Sequence, residues 1–397
     1  MLLPVHEALT RVLEDAPKTQ TIHVPLHEAD GYTLATNVAA TRTQPPFAAS
    51  AMDGYAVRHA DLVLGKSLEV IGESAAGHRF SGTFQAGSAV RIFTGAPLPD
   101  GADTILIQED AERDGDTIIP REIPKCGLYV RPAGMDFAEN EELISAGTIL
   151  NFQSISIAAA MNHPTLPVHK KPIIGIMSNG DELVLPGEVP NDDQIIASNA
   201  FGVASLVRAA GGEVIDLGIA RDTTSDIVNA FDRAQSAKCD VLVTLGGASV
   251  GDHDLIKPAL AKKGVTLDFW KIAMRPGKPF MFGKLDNMRM LGMPGNPVSS
   301  LVCSLLFLRP LLLAMQGRDP AYDLDTALVG TPIPKNSQRP AYLRAFAAKV
   351  DGKWVVDTFA QQDSSILSVL AKSNCLVLRD SFEEPAKTGD RCTIMWI

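Results

Sequence analysis

Apolar positions recur along this chain with two different periods, and the places where the period changes divide it into units. The first residues carry apolar side chains at helical spacing with Glu7 and Arg11 among them, which predicts an amphipathic helix over 5–13, followed by a short strand over 21–25. From Pro45 to about Asp136 the pattern shortens to runs such as SLEVIGES, SAVRIFTGA, DTILIQED and DTIIPREI, separated by Gly, Pro and Asp. Short strands at this spacing predict a small β-rich module, 44–139, inserted into the N-terminal segment. The chain returns through ENEELISAGTILNFQSISIAAAMNH, which holds a helix over 151–161.

Between 171 and 316 strand and helix alternate. An apolar strand at 173–178 leads to a helix that starts at Ser198 or Asn199 and ends at Gly211-Gly212. Strand 213–218, helix 224–237 and strand 241–245 follow, then a glycine loop, another helix and the strand-like FWKIAM, FMFG and RMLGM. This rhythm predicts an α/β domain on a parallel sheet covered on both faces. The next helix opens with Asn296 as N-cap and Pro297 at the first helical position, where a missing N–H costs nothing. Its apolar run, 298–308, is too short to span a bilayer and meets Arg309-Pro310, so it reads as a buried core helix. Beyond Gly317 the pattern is again β-like, predicting a small C-terminal β domain over 317–397.

Composition narrows the function. At 397 residues the chain exceeds one ordinary core, and 46% hydrophobic with 21% charged residues is the balance of a folded globular protein. A net charge of −10 without a basic run disfavours nucleic acid as the main partner. A small polyanion would then need a locally positive pocket or a divalent cation held by carboxylates. The N-terminus lacks the basic region and cleavage site of a signal peptide, so the expected location is the cytoplasm, with no membrane association. The five cysteines are scattered without a CxxC pair and read as reduced structural thiols.

The richest local signal is GGASVGDHD, 246–254, directly after the β-branched run 241–245. A glycine-rich turn leaving a buried strand exposes backbone N–H groups, and the helix behind it points its positive end the same way. Gly246, Gly247, Ser249 and Gly251 thus form a candidate anion cradle, with His253 inside it either a ligand contact or a packed histidine. SNGDEL (178–183) also follows an apolar strand, and RPGKP (275–279) and GMPGNP (292–297) are tight turns that display Arg275, Lys278, Pro294 and Pro297. In a parallel sheet such strand ends share one carboxyl edge, where α/β proteins bind ligands. Glu182, Asp222 and Asp254 would meet there and repel one another unless a cation joins them, and their oxygens suit Mg²⁺. Each is equally a possible helix cap or solvated turn.

Taken with PPFAASAMDGYA (45–56) and TGAPLPDGAD (94–103), these six ordered motifs make the chain resemble the molybdopterin molybdenumtransferase family, the MoeA and gephyrin E-domain group, from about Val5 to the C-terminus. Family members commonly carry Thr at Asn179, Val at Ala248 and Lys at Arg275, and QQDSSIL (361–367) is less glycine-rich than usual. The resemblance implies the final step of molybdenum cofactor biosynthesis: molybdate and adenylated molybdopterin react with Mg²⁺, and AMP is released. It implies that residues 1–43 and 140–170 form one elongated domain from which the β module projects. It also implies that Glu182 lies in the pocket and that Asp53, Thr94 and Asp136 reach the site from another domain. A homodimer with a composite site follows, and so does a separate molybdopterin adenylyltransferase, since no second α/β domain able to make the adenylate is present. The alternatives are a non-catalytic scaffold on the same fold and a tungstate-using relative.

Overall fold

The computed structural model describes residues 2–247 and 255–397. Its central sheet has six strands in the order Glu213–Ala220, Ile173–Asn179, Val241–Leu245, Met288–Met293, Met281–Leu285, Thr266–Trp270. The first four are mutually parallel, as the βαβ rhythm requires. Met281–Leu285 pairs antiparallel with both its neighbours and runs against the other five strands, so the sheet is mixed rather than wholly parallel. The cause is chain length: only Asp286 and Asn287 separate Met281–Leu285 from Met288–Met293, too few residues for a crossover. Two apolar clusters cover the faces, one holding Phe280, Phe282 and Phe307, the other Phe231, Leu242 and Met290.

The helix Val5–Leu13 joins the first of these clusters through the fully buried Ala8 and Val12. Arg11 bonds Glu7 at 2.6 Å and Asp268 at 3.0 Å, and Leu3 forms a bridge with Ile272. This corrects the expectation that residues 1–43 belong to the elongated unit as a block, because the amphipathic face has its apolar partner on the α/β domain. From Thr21 onward the chain does pair with the returning segment: Thr21–Pro25 and Thr33–Leu34 flank Thr165–His169, and Val38–Ala39 pairs with Glu142–Ile144. Asn151 caps the helix Phe152–Ala160 through its side-chain oxygen, with Ser154 closing the reciprocal bond.

The inserted module is a six-stranded mixed sheet centred on Gly54–Val57, Ser88–Ile92 and Leu68–Ser74. The C-terminal domain closes into a five-stranded barrel made from Leu324–Val329, Ala341–Val350, Lys353–Thr358, Cys375–Arg379 and Arg391–Trp396.

The apolar run at 298–308 does not end its helix. Helical structure continues from Pro297 to Met315 through a π turn at Ser304–Leu308. That length would suffice to cross a membrane, yet the helix packs in the protein core with Leu306, Phe307, Leu308, Leu311 and Leu312 fully buried. Pro310 has no N–H to give the Leu306 carbonyl, and the Tyr322 hydroxyl donates to that oxygen instead at 2.8 Å. Burial and the neighbouring Tyr342 push the Tyr322 phenol up, so it stays a donor. Tyr322→Phe is therefore expected to lower stability by about 1–2 kcal/mol, read as a shift in the urea midpoint.

Candidate active site

All four parallel strands deliver their carboxyl ends to one cleft of about 670 Å³. Ser178, Asn179 and Gly180 come from the end of Ile173–Asn179, Asp222 from just beyond Glu213–Ala220, Gly246 and Gly247 from the turn after Val241–Leu245, and Pro294 to Pro297 from the turn after Met288–Met293. Glu182 lines the same space, and Ser365 enters from the C-terminal domain.

Local chemistry decides which acids are free for the cleft. The helix Thr224–Ser236 is capped by Thr223, whose hydroxyl accepts from the Asp226 N–H, so Asp222 is not the cap. In the SNGDEL turn Asp181 is the structural acid: its Oδ1 accepts the Asp222 N–H at 3.1 Å. The Arg221 guanidinium holds the same turn by donating to the carbonyls of Asp181 and Leu183. Glu182 is left exposed, folded over Gly180 so closely that a Cβ at 180 would collide with its carboxylate.

The glycine turn needs glycine for a specific reason. Gly246 has φ +96°, and a Cβ there would lie 2.5 Å from the Asn179 carbonyl oxygen. Gly295 passes close by, where a Cβ would lie 3.7 Å from the Gly246 Cα, so the two glycine turns meet across the cleft. Asn296 sits at the N-cap position as expected but does not cap; its amide donates to the Ser364 hydroxyl, while the Ser364 carbonyl takes the Val298 N–H.

Two expected cations do not join this wall. Among the described residues lining the cleft are Glu182 and Asp222 and no Lys or Arg. The RPGKP turn contributes Pro279, whereas Arg275 pairs through its backbone with Pro340 and Tyr342 of the barrel. The Lys278 carbonyl accepts from Ile272 and Phe280 within the turn. A spacing pattern locates such a turn but does not say which way its side chains leave it. Ser249, Gly251, His253 and Asp254 lie outside the described residues. Among the described residues no three His, Cys, Asp or Glu side chains gather as metal ligands.

Asp53, Thr94 and Asp136 are not among the described residues lining this cleft. Asp53 Oδ1 accepts from both the backbone N–H and the hydroxyl of Thr94, each at 2.8 Å, and these bonds hold the Asp53 carboxyl below its ordinary range. Asp136 lines a separate cleft of about 710 Å³ with Arg42, Gln44, Phe47, Gly95 and Arg131. The two clefts share no described lining residue. Within one chain, Asp53, Thr94 and Asp136 therefore stand apart from the Glu182 and Asp222 lining. The contributions of Asn199, whose amide donates to the Gly295 carbonyl, and of Ser365 were not anticipated. The former lay in a helix cap motif and the latter in the glycine-poor QQDSSIL segment.

Residues 3–162 match the MoeA N-terminal region (domain I and II), residues 175–314 a probable molybdopterin binding domain, and residues 326–396 the MoeA C-terminal region (domain IV). The chain is 35% identical to the molybdopterin molybdenumtransferase of Haemophilus influenzae, covering 99% of this chain and 98% of that one. It is 34% identical to the molybdopterin molybdenumtransferase of a Nostoc species, covering 89% and 84%. Its fold is similar to a solved molybdopterin biosynthesis MoeA protein from Pyrococcus horikoshii at a TM-score of 0.87, with 27% identity and coverage of 100% and 99%. With the six motifs in order, the multidomain architecture of the solved MoeA structure and the similarity to the Haemophilus enzyme running nearly end to end, the chain belongs to the molybdopterin molybdenumtransferase family.

Proposed function

We propose that this protein inserts molybdenum from molybdate into adenylated molybdopterin with release of AMP, the final step of molybdenum cofactor assembly. The observation that carries this reading is the convergence of four parallel strand ends on one cleft lined by two glycine turns and by Glu182 and Asp222. Exposed backbone N–H groups at a glycine turn suit phosphate oxygens, and the 294–297 turn at a helix start offers a second anion position. Glu182 and Asp222 are hard oxygen donors, the type Mg²⁺ takes when it keeps several waters and binds substrate phosphates, so the residues present fit that ion. Glu182, Asp222 and Asp254 would hold Mg²⁺, which would supply neutralisation of the pyrophosphate charge.

The chain's own part is to position the adenylate and exclude competing orientations, with fixed dipoles aimed where charge develops. In this reading the exposed side chains of Lys278 and Arg275, on the turn whose Pro279 lines the cleft, reach over its rim, Lys278 toward the phosphates and Arg275 toward the molybdate. Asp53, Thr94 and Asp136 complete the site from a second copy of the chain, since within one copy none of them is among the described residues lining the cleft. The protein works as a cytoplasmic homodimer, and a separate adenylyltransferase supplies its substrate.

The decisive experiment incubates the folded protein with molybdopterin adenylate, Mg²⁺ and molybdate and measures AMP against a no-protein control. Release of AMP is expected, and its absence would leave a scaffold role on the same fold. Substituting tungstate tests the choice of oxyanion. Lys278→Ala should weaken substrate binding more at low salt than at high salt, because salt already screens the attraction that is lost. Unchanged affinity at low salt would make RPGKP a turn and nothing more.

A further inference from the structure

Asn179 stands where the glycine turn, the SNGDEL turn and Asp222 meet. The residue is only 6% exposed, yet its partners are not those of a packing residue. The amide N–H donates to Asp222 Oδ1 at 2.6 Å, while the amide oxygen is buried with no hydrogen-bond partner among the described residues. The amide nitrogen lies 3.3 Å from where a Cβ on Gly247 would sit, so the group is wedged beneath the turn. A buried unpartnered acceptor costs stability, and an apolar side chain of the same size would avoid that cost. Something other than stability holds an amide here.

We propose that Asn179 is a positioning residue: it ties one oxygen of Asp222 and so turns the other toward the ligand in the cleft. The inference rests on the reaction proposed above. Among the described residues the one other hydrogen bond of Asp222 is from its backbone N–H to Asp181, and no second partner holds its carboxylate. Orienting partners of this kind are worth about 10- to 100-fold in activity or ligand affinity. The charged groups around the pair among the described residues are Asp181, Glu182 and Arg221, and Arg221 is engaged with the carbonyls of Asp181 and Leu183. No described cation therefore takes over the role of Asn179.

Two variants test this. Asn179→Leu should lower kcat for AMP release by about 10- to 100-fold with KM little changed, and should leave the melting temperature equal to wild type or higher. Asn179→Thr keeps a donor and should recover part of the loss. A Leu variant that turns over like wild type would overturn the inference. So would a loss that follows a fallen melting temperature, or a Thr variant that recovers nothing. Wild-type turnover is the control: if wild type releases no AMP, the functional reading itself has failed, whereas normal wild-type turnover with unaffected variants removes only the role of Asn179.

Discussion

Glu182→Ala is expected to abolish measurable AMP release, a loss of about 100- to 1,000-fold or more, while the protein melts within a few degrees of wild type. The two halves of this expectation have separate causes. The side chain is exposed, it lines the cleft, and among the described residues it has no hydrogen bond to a cap or neighbouring turn, which Asp181 and Thr223 serve instead. Removing an exposed side chain with no structural partner changes stability by about 0.5 kcal/mol or less. Its carboxylate nevertheless lines the same cleft as Asp222, where the proposed reaction needs oxygen donors for a cation beside the substrate phosphates. Glu182→Gln divides the effect further, because it keeps the shape and one acceptor but removes the charge. A Gln variant as inactive as the Ala variant points to cation holding, and an active one to hydrogen bonding. A large fall in melting temperature for either would show a structural residue and sink the assignment.

How much of this was readable in advance depended on the kind of signal. The strand and helix rhythm between 171 and 316 needs only period and length, and the parallel neighbours Ile173–Asn179 and Val241–Leu245 with their shared carboxyl edge follow from it. The antiparallel edge was also present in the sequence, in the two-residue Asp286-Asn287 connection, but apolar periodicity alone does not report direction. The destination of the first helix was not readable, since an amphipathic face states that it needs a partner and not which domain supplies it. The same limit applied at the site. Asp222 and Thr223 are adjacent and both competent caps, so only the Thr223 bond to the Asp226 N–H frees Asp222 for the cleft. Arg275 and Lys278 carry the right charge at a turn whose Pro279 lines the cleft, but the charge alone does not say which way their side chains leave it, and neither is among the described lining residues.

Mixing inactive subunits should restore activity. Asp53 is clamped to Thr94 on the inserted module, whereas Glu182 belongs to the cleft of the α/β domain, and neither Asp53 nor Thr94 is among the described residues lining that cleft. If a two-fold dimer joins the module of one subunit to the α/β cleft of the other, Asp53→Ala and Glu182→Ala each inactivate both sites of their own homodimer. In the heterodimer the two lesions fall together in one site and leave the other with both carboxylates. A two-fold interface fixes the yield: each heterodimer regains one of two sites, about half of wild-type activity. Differently tagged subunits, exchanged and then purified through both tags, give the heterodimer directly. Recovery from two inactive parents has no explanation within a single chain, because neither parent contributes a chain bearing both residues unchanged. Should the doubly tagged species remain as inactive as its parents, the site is built within one subunit or Asp53 serves only to hold the Thr94 turn, and the composite arrangement is wrong.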